Sequence, residues 1–195
     1  MKDYKKFIPC IYLLKEKAVA GFHDERVVNE NPAQLARFYG ENNADELIVF
    51  DLSDDDVSHD AALDLIKLIC KEAQIPVIGA GNIKRMEDVK KLLYAGCAKA
   101  ALNYSKEGNI EITKEVSLKF GKEKILACIY EADEINANEE ILSEFADGII
   151  LINERGIKQA VNSSKLPLIV TLPEVSLDKI IELLSTEIIS GVTGP

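Results

Sequence analysis

Residues 44–52 read Ala-Asp-Glu-Leu-Ile-Val-Phe-Asp-Leu, and residues 146–151 read Ala-Asp-Gly-Ile-Ile-Leu. Each is an Ala-Asp pair running into an apolar stretch of strand length, and a stretch apolar on both faces is what a buried parallel strand requires. Two more echoes keep the same order along the chain. Phe-Ile-Pro-Cys-Ile-Tyr at 7–12 resembles Ile-Leu-Ala-Cys-Ile-Tyr at 125–130, and Ile-Pro-Val-Ile at 75–78 resembles Leu-Pro-Leu-Ile at 166–169. An ordered set of internal echoes divides the chain into two halves of four strands each.

Working outward, candidate strands fall at 7–14, 46–52, 75–79, 99–103, 124–130, 148–153, 166–172 and 187–192. Between them lie amphipathic segments of helical period at 32–41, 60–72, 86–94, 110–119, 138–145, 157–162 and 177–184, the first opening on Pro32 after Asn31. Strand and helix alternate throughout. The expected fold is therefore α/β, a compact (β/α)8 TIM-type barrel lacking its eighth helix, with an open doubly wound sheet as the alternative that shares the alternation. Residues 1–190 are expected to form the barrel domain. Gly191 to Pro195 then reads as the start of a linker to a downstream domain, and the groove left by the missing helix as a contact surface for that domain or for a second copy.

The chain has 195 residues, 47% hydrophobic and 29% charged, enough for one well-filled core or two small ones. Its formal charge of -10 repels a phosphate backbone, and no local basic patch offsets it, so neither nucleic acid nor an anionic membrane is an expected partner. No apolar run is long enough to span a bilayer and the N-terminus carries no signal-peptide pattern, which places the expected protein in the cytoplasm. The cysteines, Cys10, Cys70, Cys97 and Cys128, stand far apart without a C-x-x-C pair or a neighbouring histidine, and read as reduced core thiols.

Several stretches resemble the cyclase subunit of imidazole glycerol phosphate synthase, a histidine-biosynthesis (β/α)8 barrel, and more distantly its isomerase relative. They are Ile8-Pro9-Cys10, then Asn31 to Ala36, Ala44 to Leu52, Ile75-Pro76, and Ile83 to Gly96, together covering most of residues 7–104. In that family the first strand reads Ile-Pro-Cys-x-Asp and the fifth ends in a second Asp, and the two carboxylates act as acid and base in ring closure and cleavage. This chain carries Tyr12 and Tyr130 at those positions. A phenol titrating near pH 10 is a poor general base at neutral pH. The lysine of the family's loop after strand one is also missing from Ala18-Val19-Ala20-Gly21.

The resemblance leaves Asp51 and Asn103, at the ends of the second and fourth strands, as the candidates for catalysis. Asp51 reads equally well as a cap on the turn that follows it, and Asn103 as a hydrogen bond to a loop or a phosphate. Of the family's two phosphate sites, the one after strand three is kept as Gly79-Ala80-Gly81-Asn82, so Gly79, Gly81, Asn82 and Asn103 are the expected phosphate ligands. After strand seven Pro173 lacks a donor and Glu174 repels an anion. The run Asp54-Asp55-Asp56 with His59 and Asp60 fits a solvated helix cap better than a metal site, and neither metal nor cofactor is expected.

Two functions follow. One is a non-catalytic scaffold, the barrel that by resemblance precedes the phosphoribosyl-AMP cyclohydrolase and phosphoribosyl-ATP pyrophosphatase domains of a bifunctional polypeptide, activity residing downstream. The other is an enzyme that binds a phosphorylated ribose or nucleotide and performs altered chemistry.

Overall fold

The computed structural model describes residues 4–106, 108–172 and 176–194. Among them are ten strands and eight α-helices. Eight of the strands, β1 (Lys6–Leu14) and β4 to β10, build a (β/α)8 barrel, and the other two form an added hairpin. The chain forms two compact units, residues 8–100 and residues 4–7 with 101–194.

In the first unit the order is β5-β4-β1-β2-β3. β4 (Leu47–Asp51) lies parallel to β1 with Tyr12 opposite Phe50, and parallel to β5 (Val77–Ala80) with Val49 opposite Gly79. All five residues of β4 are buried, as its unbroken apolar run requires. The hairpin β2 (Lys17–Gly21) and β3 (Asp24–Asn29) stands where the sequence reads as a loop. Its entry turn holds Lys15 and Glu16 at φ 49° and 60°. Two-residue turns of that hand usually carry Asn-Gly or Asp-Gly, so Lys-Glu gives no signal for one.

Helix α1 (Pro32–Glu41) starts with Pro32 in its first turn, and the Asn31 side chain accepts from Gln34 N. Helix α2 (Asp56–Ala73) begins four residues before the periodicity indicates. Asp55 caps it, accepting from the Val57 and Ser58 amides at 2.8 and 2.9 Å and from the Ser58 hydroxyl at 2.9 Å. Gly40 lets α1 and α2 approach closely, since a Cβ there would meet the Ala73 carbonyl oxygen at 2.0 Å. Helix α3 (Met86–Ala95) is opened by Asp88, whose carboxylate accepts from the Lys84 and Arg85 amides, and closed by Gly96 at φ 110°.

The second unit has the order β10-β9-β8-β7-β6. β6 is Lys99–Asn103, β7 Ile125–Ile129, β8 Gly148–Leu151, β9 Leu168–Thr171 and β10 Ile189–Gly194. The second half of the echo is thus real in space, with Ala127 opposite Ile149, Ile150 opposite Ile169 and Val192 opposite Val170. Residues 191–194, read as a linker, continue β10, while Pro195 lies outside the described residues.

The connecting helices are α4 (Gly108–Phe120), α5 (Asp133–Ala137), α6 (Glu139–Phe145), α7 (Ile157–Ser163) and α8 (Leu177–Leu184). The helix indicated at 138–145 is α6, and α5 is an additional short helix before it; the two meet at Asn138, whose side-chain amide turns back to the Glu134 carbonyl. No residue of α8 is buried, and Leu177 and Ile181 face solvent. Lys5 ties the N-terminal residues to this unit by donating to the Thr186, Glu187 and Ile189 carbonyls at 3.0, 2.7 and 2.6 Å. Among the described residues no helix is long and apolar enough to cross a membrane.

The Asp55 cap makes a pH-dependent contribution. The hydrogen bonds from Ser58 hold its carboxyl below the usual aspartate range. A lowered folded pKa gives stability that is complete above the unfolded value of about 4 and disappears as the pH falls through the folded one. Asp55→Ala is expected to lower the urea midpoint at pH 7, and the gap from the parent protein is expected to close on acidification below pH ~4. Parallel urea titrations across that range check it.

Candidate functional site

Asp51 ends β4, and its side chain is 1% exposed. A buried carboxylate needs its lone pairs filled. Oδ1 accepts from the Ser53 amide at 2.9 Å and the Ser53 hydroxyl at 2.5 Å, so the carboxylate closes the turn that follows the strand. Oδ2 faces His59 Nδ1 at 2.5 Å and the Asn82 side-chain amide at 3.5 Å. That amide has a stronger bond, 2.6 Å, to the Ser53 carbonyl. One carboxylate therefore joins the end of β4, the first turn of α2 and the loop after β5.

His59 is the residue that the acidic-run reading misplaces. It is 9% exposed and packed inward. The physical reason is the early start of α2: His59 precedes the buried residues Ala62, Leu63 and Ile66 by three, four and seven positions, on the stripe that faces the core. Which ring nitrogen of His59 carries a proton depends on its tautomer, and Nδ1 is the one that meets Asp51. Nε2 is buried and has no hydrogen-bond partner among the described residues. Among those residues no three His, Cys, Asp or Glu side chains gather closely enough to hold a metal ion.

His59 and Asn82 line a cavity of about 390 Å³ with Lys84, Arg85 and Lys91. Each cation has a carboxylate beside it: Lys84 and Asp56 at 3.4 Å, Arg85 and Asp88 at 3.5 Å, Lys91 and Asp60 at 3.1 Å. The Lys84–Asp56 and Lys91–Asp60 pairs are open to water, worth about 0–1 kcal/mol, and re-form readily around a ligand, whereas Asp88 is buried.

The two glycines of the expected phosphate loop have tight neighbours within the fold. At Gly79 a Cβ would lie 2.8 Å from Leu92 Cδ2 and 3.0 Å from Cys97 Sγ. At Gly81, where φ is +87°, it would lie 2.1 Å from the Asp51 carbonyl oxygen. Asn82 is also left-handed, at φ 50°.

Asn103 belongs to the second unit and ends β6 exposed. Its Oδ1 accepts from the Ser105 amide at 2.9 Å, and its carbonyl accepts from the Asn109 side chain at 2.9 Å. In that unit Thr171 and Thr193 are register partners near the C-terminal ends of β9 and β10. Both hydroxyls are buried without a partner among the described residues. Pro173 and Glu174, which come after Thr171 and Leu172, lie outside the described residues.

The two tyrosines have different surroundings. Tyr12 is 4% exposed, its ring 4.7 Å from that of Phe22 and stacked 5.3 Å from that of Phe50. Phe22 sits in the turn of the β2–β3 hairpin, so the unforeseen hairpin supplies one wall of this aromatic trio. Tyr130, just after β7, is 41% exposed.

The family described as histidine biosynthesis protein matches residues 6–170. The chain belongs to that family. Imidazole glycerol phosphate synthase subunit HisF of Staphylococcus saprophyticus is 34% identical over 143 residues, 72% of this chain and 55% of the relative. The corresponding subunit of Methanococcus vannielii is 32% identical over 127 residues, 64% of this chain and 46% of the relative. This histidine-biosynthesis chain thus spans about half the length of the curated relatives it matches. In fold it is similar to the N-acetylmannosamine-6-phosphate 2-epimerase of Clostridium perfringens, with a TM-score of 0.70 and 14% identity over 99% of this chain and 87% of that one.

Gly81→Ala adds a Cβ against backbone at a left-handed position, and is expected to destabilise the protein by about 3 kcal/mol or more. Gly21→Ala, with nothing within 4 Å, is expected to stay within about 0.5 kcal/mol. Asp51→Ala strips partners from Ser53 and His59 and is expected to cost about 3 kcal/mol. Urea unfolding of the three variants measures all of these.

Proposed function

We propose that this histidine-biosynthesis barrel does not perform the cyclase reaction and serves as a scaffold domain, in the cytoplasm, for the phosphoribosyl-AMP cyclohydrolase and phosphoribosyl-ATP pyrophosphatase of one bifunctional polypeptide. The observation that carries this reading is Tyr12. Where the cyclase family has a carboxylate for proton transfer, this chain has a phenol buried against Phe22 and Phe50. Such a ring holds its place by packing and aromatic contact. A phenol is a poor general base at neutral pH. Tyr130 stands at the other carboxylate position, and the loop lysine is missing. The solvent-facing Leu177 and Ile181 of α8 supply apolar surface for a downstream domain or a second copy.

The test supplies the purified chain with the cyclase's bisphosphate substrate and ammonia. No imidazole product is expected, and turnover above the uncatalysed rate overturns the reading. Its scaffold half is tested by expressing the cyclohydrolase and pyrophosphatase domains with and without this barrel in one chain. A lower yield of folded protein or lower activity without the barrel is expected, and indifference to its removal rejects the role.

A second reading, an enzyme acting on a phosphorylated ribose or nucleotide, has its own observation: the unpartnered His59 Nε2 in a cavity edged by Lys84, Arg85 and Lys91. A phosphoryl group drawn to those cations sets a ribose hydroxyl within the reach of Nε2. Calorimetric titration with ribose 5-phosphate is then expected to saturate in the micromolar range. The Lys84→Ala, Lys91→Ala double variant is expected to weaken binding by about tenfold, equivalent to ~1.4 kcal/mol. An absence of heat removes this reading and leaves the scaffold.

A further inference from the structure

Two of the four cysteines that read as separate core thiols meet in the first unit. Cys70, in the last turns of α2, and Cys97, between the end of α3 and the start of β6, have their sulfur atoms 3.8 Å apart and in hydrogen-bond contact. Cys97 is buried, whereas Cys70 is only partly covered. Two glycines shape the space around the pair. A Cβ on Gly96 would stand 3.1 Å from Cys70 Cβ, and one on Gly79 would stand 3.0 Å from Cys97 Sγ.

We propose that Cys70 and Cys97 are a redox pair that a hydroperoxide converts into a disulfide. To bond, the sulfurs must close from 3.8 Å to about 2.05 Å. The two thiols divide the roles by environment. The hydrogen bond from Cys97 holds the Cys70 thiol below its usual range, and that same interaction together with burial pushes Cys97 well above it. The more exposed sulfur is therefore also the one that ionises first, which is the combination an attacking thiol needs.

In the first step the Cys70 thiolate attacks one peroxide oxygen and the O–O bond breaks. Cys70 becomes a sulfenic acid, and the departing alkoxide takes a proton to leave as an alcohol, or as water when the oxidant is hydrogen peroxide. In the second step Cys97 Sγ attacks Cys70 Sγ and the S–O bond breaks. The hydroxide that leaves takes the Cys97 proton and departs as water. Two thiols lose two electrons in all, and the peroxide gains them. The remaining cysteines stay out of this chemistry. Cys128 is buried and its thiol is pushed up to about 12, and Cys10 is buried within β1. In a reducing compartment such a bond is transient and signals oxidant.

The bond would fasten α2 to the strand entering at β6, and α2 also carries His59. The experiment treats the reduced full chain with one equivalent of hydrogen peroxide, blocks free thiols by alkylation and maps the peptides by mass spectrometry. The expected product is a single Cys70–Cys97 cross-linked peptide lacking the mass of two hydrogens, with the titratable thiols falling from four to two and returning with dithiothreitol. The oxidised chain is expected to melt several degrees higher than the reduced one. Cys97→Ala, which fits the buried site without a polar atom, is expected to halt at a Cys70 sulfenic acid trapped by dimedone, and Cys70→Ser to consume no peroxide. Four thiols surviving, a cross-link through Cys10 or Cys128, or over-oxidation of Cys70 without a cross-link would each overturn the proposal.

Discussion

The first unit depends on the buried carboxylate of Asp51. A charge taken out of water is tolerable only when donors replace the water, and here four do so: the Ser53 amide and hydroxyl, the His59 ring and the Asn82 amide. They come from three separate pieces of chain. Satisfying one carboxylate therefore sets the end of β4, the first turn of α2 and the loop after β5 at once. Gly81 completes the arrangement, because only a residue without a side chain can pass the Asp51 carbonyl so closely.

That constraint gives the acidic run 54–60 its meaning. Asp55 turns outward and caps α2, while His59, one turn later, turns inward and is held by Asp51. The same helix separates a solvated charge from a buried ring within four residues. The cavity beside it inherits the His59 imidazole and two loosely paired cations, Lys84 and Lys91, which can rearrange around a ligand at little cost. Tyr12 packs in an aromatic cluster with Phe22 and Phe50.

Much of the architecture was legible because long apolar runs and helical stripes report burial directly. Helices α1, α3, α7 and α8 and all eight barrel strands lie where periodicity places them, to within a few residues. The β2–β3 hairpin was not legible: β3 is exposed and its turn uses Lys15-Glu16, so neither alternation nor turn composition marks it. The start of α2 was hidden for a different reason. Its first turn is stabilised by the Asp55 cap, and the polar residues there obscure the apolar period that begins at His59.

By itself the sequence determined the alternating α/β order and the twofold echo, since each is a property of local composition and spacing. Only the tertiary structure decided which polar groups meet. Asp51, His59 and Asn82, and likewise Cys70 and Cys97, are separated by 8 to 31 positions along the chain. Their encounters follow from parallel register and helix packing, which bring together side chains that no local pattern relates.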